Sequence, residues 1–321
     1  MIRRLIALSL LLSGVFAAFT FAITASQWRS LPAGVGRPVF ELGQAYSPQA
    51  RSDDELLIEA LGANSAFTGQ QVDTLLNPLL TFGVRALDAV ACAPDGQALL
   101  FFAPYLYRLD VRRKALAQLT FFPRQAFALA SSPDQQRIAF MEATATLPMI
   151  LTSADADGSN LSALYFPIDE FLDASLSWSP DSRAIAFVQT VPAGDQVPSF
   201  RISIIDAATH TVRLVYQSTQ EISQVSWSPD GQRLAFQMRD PVYDNIYSIQ
   251  TDGTGLTRLT NDPQQDYDPR WSPDGSLISY GFVSPRDPFQ LYVMNADGSD
   301  PHPVFVAPGD HELRNLCWLK D

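Results

Sequence analysis

"SWSPDGQRLAF" runs from Ser226 to Phe236, and "RWSPDGSLISY" from Arg270 to Tyr280 restates it 44 residues later. Each copy reads as strand, tight turn, strand. Proline presets φ, aspartate bonds back to the backbone, and glycine accepts positive φ. The alternation Leu234, Phe236, Met238 then puts an apolar face on the strand that follows. Three further copies align on the turn: "CAPDGQALLFF" from Cys92, "SSPDQQRIAFM" from Ser131 and "WSPDSRAIAFV" from Trp178. Six residues after each aspartate stands an aromatic, namely Phe101, Phe140, Phe187, Phe236 or Tyr280. A broken copy, "LCWLKD", ends the chain with Trp318 in the tryptophan position. Steps between these positions are 39, 47, 49, 44 and 47 residues. Such periods suit four-stranded propeller blades.

The rest of each repeat completes a blade. A third strand is expected at "NIYSI" (Asn245 to Ile249) and "QLYVM" (Gln290 to Met294), followed by Asp252-Gly253 or Asp297-Gly298, a hairpin signal. The fourth is "LTRLT", Leu256 to Thr260. From Thr260 to Trp271, and from Thr81 to Cys92, the spacing is 11 residues, so Ser65 to Thr81 reads as the last two strands of another blade. The expected fold is therefore all-β, a six-bladed propeller of four-stranded antiparallel blades closed by N- and C-terminal strands. "LRNLCWL" supplies the first strand of the closing blade and "PVFELG" (Pro38 to Gly43) a second. Ser52 and Glu55 have capping-box spacing and Gly62 is a stop, so a short helix is expected near 53–61, with a strand as the alternative for "LLIEAL". Residues 26–52 read as a linker and 53–321 as the propeller.

Composition sets further bounds. The chain has 321 residues, 46% of them hydrophobic, and 34 acidic against 22 basic side chains give a net charge of −12. Nucleic acid, which needs a concentrated positive footprint, is excluded as a partner. Arg3 and Arg4 precede Leu5 to Ala25, 21 residues without a charge. Residues 1–25 are either a signal peptide cut after Ala25 or an uncleaved anchor helix, and both place the remainder beyond the cytoplasmic membrane. Cys92 and Cys317 read as two small buried hydrophobes, and spacing does not decide whether they pair.

The motifs of residues 223–300, "WSPDGQRLAF", "IYSIQTDGTGLTRLTNDPQQDYDPRWSPDG" and "LYVMNADGSDPHPV", resemble the TolB-type propeller repeat. More loosely the resemblance covers 65–321. It implies an exported six-bladed propeller that binds proteins or peptides at one face. In the Tol–Pal system such a protein is periplasmic and docks a lipoprotein and an envelope complex. One fold hosts many functions, so the resemblance marks architecture more than activity.

Motifs that carry chemistry are few. There is no Gly-x-Ser-x-Gly elbow, P-loop or Gly-x-Gly-x-x-Gly, and the length leaves no room for the hydrolase domain of dipeptidyl-peptidase or oligopeptidase propellers. His210, His302 and His311 lack His-Glu-x-x-His spacing and read as solvated loop residues. "DADGSN" (Asp155 to Asn160) and "NADGSD" (Asn295 to Asp300) read as hairpin turns and not as calcium loops, since no distal glutamate follows. No cofactor and no metal is expected. The aspartates Asp95, Asp134, Asp181, Asp230 and Asp274 recur because every blade needs its turn.

Candidate binding residues are those that break the repeat. Strand direction alternates, so the loops from second to third strand and from blade to blade share one face. There stand Arg239, Asp240 and Tyr243, then Asp266, Tyr267 and Asp268, then Arg286 and Asp287. Asn261, Asp262 and the loops Phe166 to Asp173 and Thr190 to Phe200 join them. An acidic, aromatic rim suits a basic peptide or protein segment; the alternative is local turn pairs and a solubilising rim. The expectation is a monomeric, non-enzymatic propeller binding a protein, peptide or cell-envelope partner, with membrane anchoring by residues 5–25 as one option. The alternatives are a propeller lyase or hydrolase acting on a polysaccharide or peptide at the central mouth, and a structural envelope module.

Overall fold

A computed structural model describes residues 37–44, 57–58 and 89–319, apart from 94–97, 103–104, 111–114, 120–124, 144–148, 168–169, 195, 285–286 and 308–310. All its regular elements are strands, and there is no helix among the described residues.

Five antiparallel sheets have the blade form. The first holds β3 (Ala89–Cys92), β4 (Ala98–Phe102), β5 (Leu106–Asp110) and β6 (Ala115–Gln118). The second holds β7 (Gln125–Ser131), β8 (Arg137–Ala143), β9 (Ile150–Asp155) and β10 (Ser162–Tyr165). The third is β11 (Phe171–Trp178), β12 (Ala184–Val191), β13 (Ser199–Asp206) and β14 (Val212–Ser218). The fourth is β15 (Ile222–Trp227), β16 (Arg233–Asp240), β17 (Tyr243–Gln250) and β18 (Thr257–Arg258). The fifth is β19 (Gln265–Trp271), β20 (Leu277–Ser284), β21 (Asp287–Asn295) and β22 (His302–Val306). A sixth sheet joins β1 (Arg37–Gln44), β2 (Leu57–Ile58) and β23 (His311–Leu319) in the order β2-β1-β23.

The expectation of six four-stranded blades is thereby corrected to a five-bladed propeller. The broken copy around Trp318 contributes a single strand, β23, and its backbone groups are satisfied by β1 from Arg37↔Leu319 to Gln44↔His311. β23 lies between β19 and β3. The two-residue β2 adds Glu41↔Ile58 and Leu42↔Leu57, so the helix expected near 53–61 is also corrected: Leu57 and Ile58 are strand. Pairing with an open edge outweighs the local helix signal there. Ser65 to Thr81, and residues 1–25, lie outside the described residues.

The core lies between blades. Phe101, Phe140, Phe187, Phe236 and Tyr280, the aromatics of the repeat, are buried. One cluster joins Met141 and Leu151 of the second blade to Trp178 and Phe187 of the third. The next joins Ile202 and Val215 of the third to Leu234, Phe236 and Tyr247 of the fourth. Tryptophans sit in these seams. Trp178 Nε1 donates to the Ala130 carbonyl of the preceding blade at 3.2 Å, and the Arg137 guanidinium lies 4.9 Å from its ring centroid. Trp318 Nε1 donates to Ser279 Oγ at 3.0 Å. Neighbouring inner strands are also bonded: Ser175 Oγ accepts the Val225 N–H at 2.6 Å, and Ser177 Oγ that of Trp227 at 3.0 Å.

Candidate functional site

The two faces of the propeller differ in what their side chains are free to do. On the face of the Pro-Asp turns, one pattern recurs. Ser228 Oγ donates to Asp230 Oδ1 at 2.6 Å, Asp230 Oδ1 accepts the Gln232 N–H, and Ser228 Oγ accepts the Arg233 N–H. Ser132–Asp134, Ser179–Asp181 and Ser272–Asp274 repeat it. The Asp-Gly turns use Asp157, Asp252 and Asp297 likewise, each accepting the N–H and hydroxyl of the residue two further on. These carboxylates are consumed by their own turns, as the hairpin reading of "DADGSN" and "NADGSD" requires.

The turn geometry has a pH consequence. The Ser228 hydroxyl and the Gln232 N–H hold the Asp230 carboxyl below the usual carboxylate range, and the Ser179 hydroxyl does the same for Asp181. A carboxyl depressed in the folded state stabilises the fold above its unfolded pKa and loses that contribution as pH falls through the folded value. Asp230→Asn is therefore expected to lower the urea midpoint at pH 7. The gap from wild type closes as pH falls below about 4. A gap unchanged down to pH of about 2 removes the assignment.

On the opposite face the β16–β17 hairpin pairs Arg239↔Asp244 and Asp240↔Tyr243. Arg239 grips Asp244 with Nε and Nη2 at 3.0 and 3.1 Å and reaches Glu221 at 2.6 Å. Asp240 takes Arg258 Nη1 at 2.8 Å, the Tyr247 hydroxyl at 3.2 Å and Gln220 Nε2 at 3.3 Å. Arg239 and Asp240 thus brace a two-residue turn, on which Val242 is 62% exposed, with Tyr243 at the start of β17 38% exposed beside it. A second network stands on the same face, between Tyr165 at the end of the second blade and Gln189 and Arg201 of the third. The Tyr165 hydroxyl donates to Glu170 Oε2 at 2.8 Å, Gln189 Nε2 donates to Glu170 Oε2 at 2.6 Å and to the Tyr165 oxygen at 2.8 Å, and Arg201 pairs with Glu170 at 3.2 Å. Burial, with Glu170 beside it, pushes the Tyr165 phenol up to about 12. Phe166 and Val197 are exposed on neighbouring loops.

The remaining predicted residues lie deeper. Asp266 is 0% exposed, and neither of its carboxylate oxygens has a hydrogen bond of ordinary geometry. Burial pushes its carboxyl up to about 7; the Asp262 and Asp244 charges act in the same direction, while the Thr260 hydroxyl and Arg258 offset only part. Tyr267 lies over Gly281, where any Cβ would strike its ring, and meets Phe289 edge-on at 6.3 Å. Asp268 is buried, has the left-handed φ of 52°, and pairs with Arg270 Nη2 at 2.6 Å. Asp287 begins β21, its side chain outside the described residues, and Arg286 lies outside them altogether.

The structure thus gathers Arg239, Asp240 and Tyr243 at one hairpin and sets Asp266 and Asp268 beneath the rim. Arg258, Asp244 and Glu221 are partners that sequence reasoning missed. Only the cross-strand position of Asp244 opposite Arg239 carries a local signal.

His210 and His302 are on the turn face, away from Arg239, with His302 Nδ1 2.8 Å from the Asp300 carbonyl oxygen. His311 opens β23, with its side chain outside the described residues, as are those of Cys92 and Cys317. Among the described residues no three His, Cys, Asp or Glu side chains gather in a metal-holding group, and no helix is long and apolar enough to cross a membrane.

Repeat, blade and inter-blade seam together define a β-propeller of the TolB kind. The TolB beta propeller domain family matches residues 135–312, and the chain belongs to that family. Among solved structures it is similar to TolB from Acinetobacter baumannii, with TM-score 0.64 and 16% identity over 91% of this chain and 68% of that one. It is also similar to a protein classed as TolB in Agrobacterium tumefaciens, with TM-score 0.61 and 17% identity over 89% of this chain and 99% of that one. An oligogalacturonate lyase from Vibrio parahaemolyticus shares the fold at TM-score 0.53 and 18% identity over 69% of this chain and 65% of that one. At such identities the likeness is one of fold.

Proposed function

We propose that this chain is a non-catalytic, exported propeller that binds a protein or peptide of the cell envelope through the face bearing the β16–β17 hairpin. One observation carries this reading. The exposed apolar side chains Val242, Tyr243, Phe166 and Val197 stand on that face beside braced polar networks, whereas on the other face the exposed Leu161 and Leu256 belong to repeated Asp-Gly hairpins. An aromatic held beside a stiff turn loses little entropy on binding and is the usual form of an interface anchor. The net charge of −12 on the chain favours a basic partner segment. Export rests on Arg3, Arg4 and the uncharged run Leu5 to Ala25. A lyase or hydrolase reading draws little support, because His210 and His302 are on the far face.

The test uses the full chain, immobilised and exposed to an envelope extract, with fractionation of cells to locate it. A saturable partner is expected. Tyr243→Ala with Val242→Ser should weaken its binding about thirtyfold, the loss of one anchor of about 2 kcal/mol. A partner held equally well by the double variant, or none beyond the bare matrix, refutes the reading.

A further inference from the structure

The segment "DPQQD" crosses from the fourth blade to the fifth. Its alternate residues, Asp262, Gln264 and Asp266, share a property found in few side chains here. Asp262 Oδ1, Gln264 Oε1 and both oxygens of Asp266 are buried and make no hydrogen bond of ordinary geometry, with the Thr260 hydroxyl the donor beside Asp266 and the Gln264 N–H the donor beside Asp262. Gln265, between them, is occupied elsewhere: its Oε1 accepts the Asp244 N–H at 2.9 Å. The cation on the adjacent strand is occupied too. Arg258 gives Nε to the Thr260 carbonyl, Nη1 to Asp240 and Nη2 to Asn245, at 2.7–2.9 Å. A wholly buried carboxylate with neither oxygen in a hydrogen bond of ordinary geometry is costly, and the cost is relieved by a proton or by a compensating cation.

We propose that Asp262, Gln264 and Asp266 form a calcium site in the seam between the fourth and fifth blades. The donors are all hard oxygens, with no nitrogen or sulfur, which disfavours zinc or copper. Two carboxylates balance a divalent charge. Ligands at alternate positions of a short acidic loop are how calcium loops begin. Three side chains fill only part of a shell of about six to eight oxygens, so water and main-chain carbonyls complete it and the affinity falls in the weak range of extracellular modules. Asp268 is left out, because its carboxylate is held by Arg270. The site would tie the crossover that follows β18 to the inner strand β19, beneath the binding face.

The test is thermal unfolding of the chelator-treated full chain with calcium, with magnesium, or with neither. Calcium at about 10 mM should raise Tm by at least about 3 °C, and magnesium by less. Asp266→Asn and, separately, Asp262→Asn should abolish the shift, and titration calorimetry should give one site in wild type and none in either variant. Asp252→Asn, in an exposed turn, should retain the shift. No calcium-dependent shift and no heat in wild type overturns the site, as does a shift that survives both substitutions. Should one variant fail to fold, the other decides by the same two readouts.

Discussion

Phe236→Ala is expected to lower the unfolding free energy by about 3–5 kcal/mol. Phe236 is wholly buried and stacks on Tyr247 with ring centroids 6.0 Å apart. It also meets Tyr216, at 6.0 Å, across the seam with the third blade. Its removal deletes apolar contacts and opens a cavity between blades, where four strands on each side limit collapse. Urea unfolding followed by tryptophan fluorescence gives the measurement, with Trp178 and Trp227 in the adjoining blades. A loss below about 1 kcal/mol means the seam relaxes freely, which is incompatible with close packing of the blades.

Gly253→Ala should cost at least about 2 kcal/mol, although the residue lies in a surface turn. Gly253 has φ of 90°, and an added Cβ would stand 2.6 Å from the Val215 carbonyl oxygen. That oxygen belongs to β14, so the turn of the fourth blade is pressed against the outer strand of the third. Gly298 repeats the arrangement one seam on, 2.9 Å from the Leu259 carbonyl oxygen. Gly194 is the control. It has φ of 61° with nothing within 4 Å of a Cβ, so Gly194→Ala should cost only about 1 kcal/mol. Equal losses at the two positions show that backbone conformation, and not the neighbouring blade, sets the requirement at Gly253.

The candidate site was only partly readable beforehand. Arg239, Asp240 and Tyr243 could be set on one hairpin because they flank a turn between two evident strands. Their partners could not all be found. Arg258 reaches Asp240 from β18, 18 residues away, and nothing in "LTRLT" marks that arginine for the task. Asp266 and Asp268 read as rim residues because they precede a strand. The crossover instead carries them under the hairpin, and no local pattern distinguishes a carboxylate at the rim from one beneath it.

By itself, then, the sequence determined the repeating unit of this protein. The Ser-Asp turns close through bonds spanning two to five residues, and the buried aromatics follow from alternation, so both are local. Tertiary structure alone decided how the ring ends. Whether the lone strand at Trp318 becomes a full blade depends on which distant segment reaches its edge. Here Arg37–Gln44 does so, and Leu57–Ile58 pairs in turn with that segment, making a three-stranded sheet beside five complete blades. It also decided the fate of Asp262, Gln264 and Asp266. Their exposure is set by how the crossover packs between two blades, and such packing between residues far apart in the chain leaves no periodic mark in the sequence.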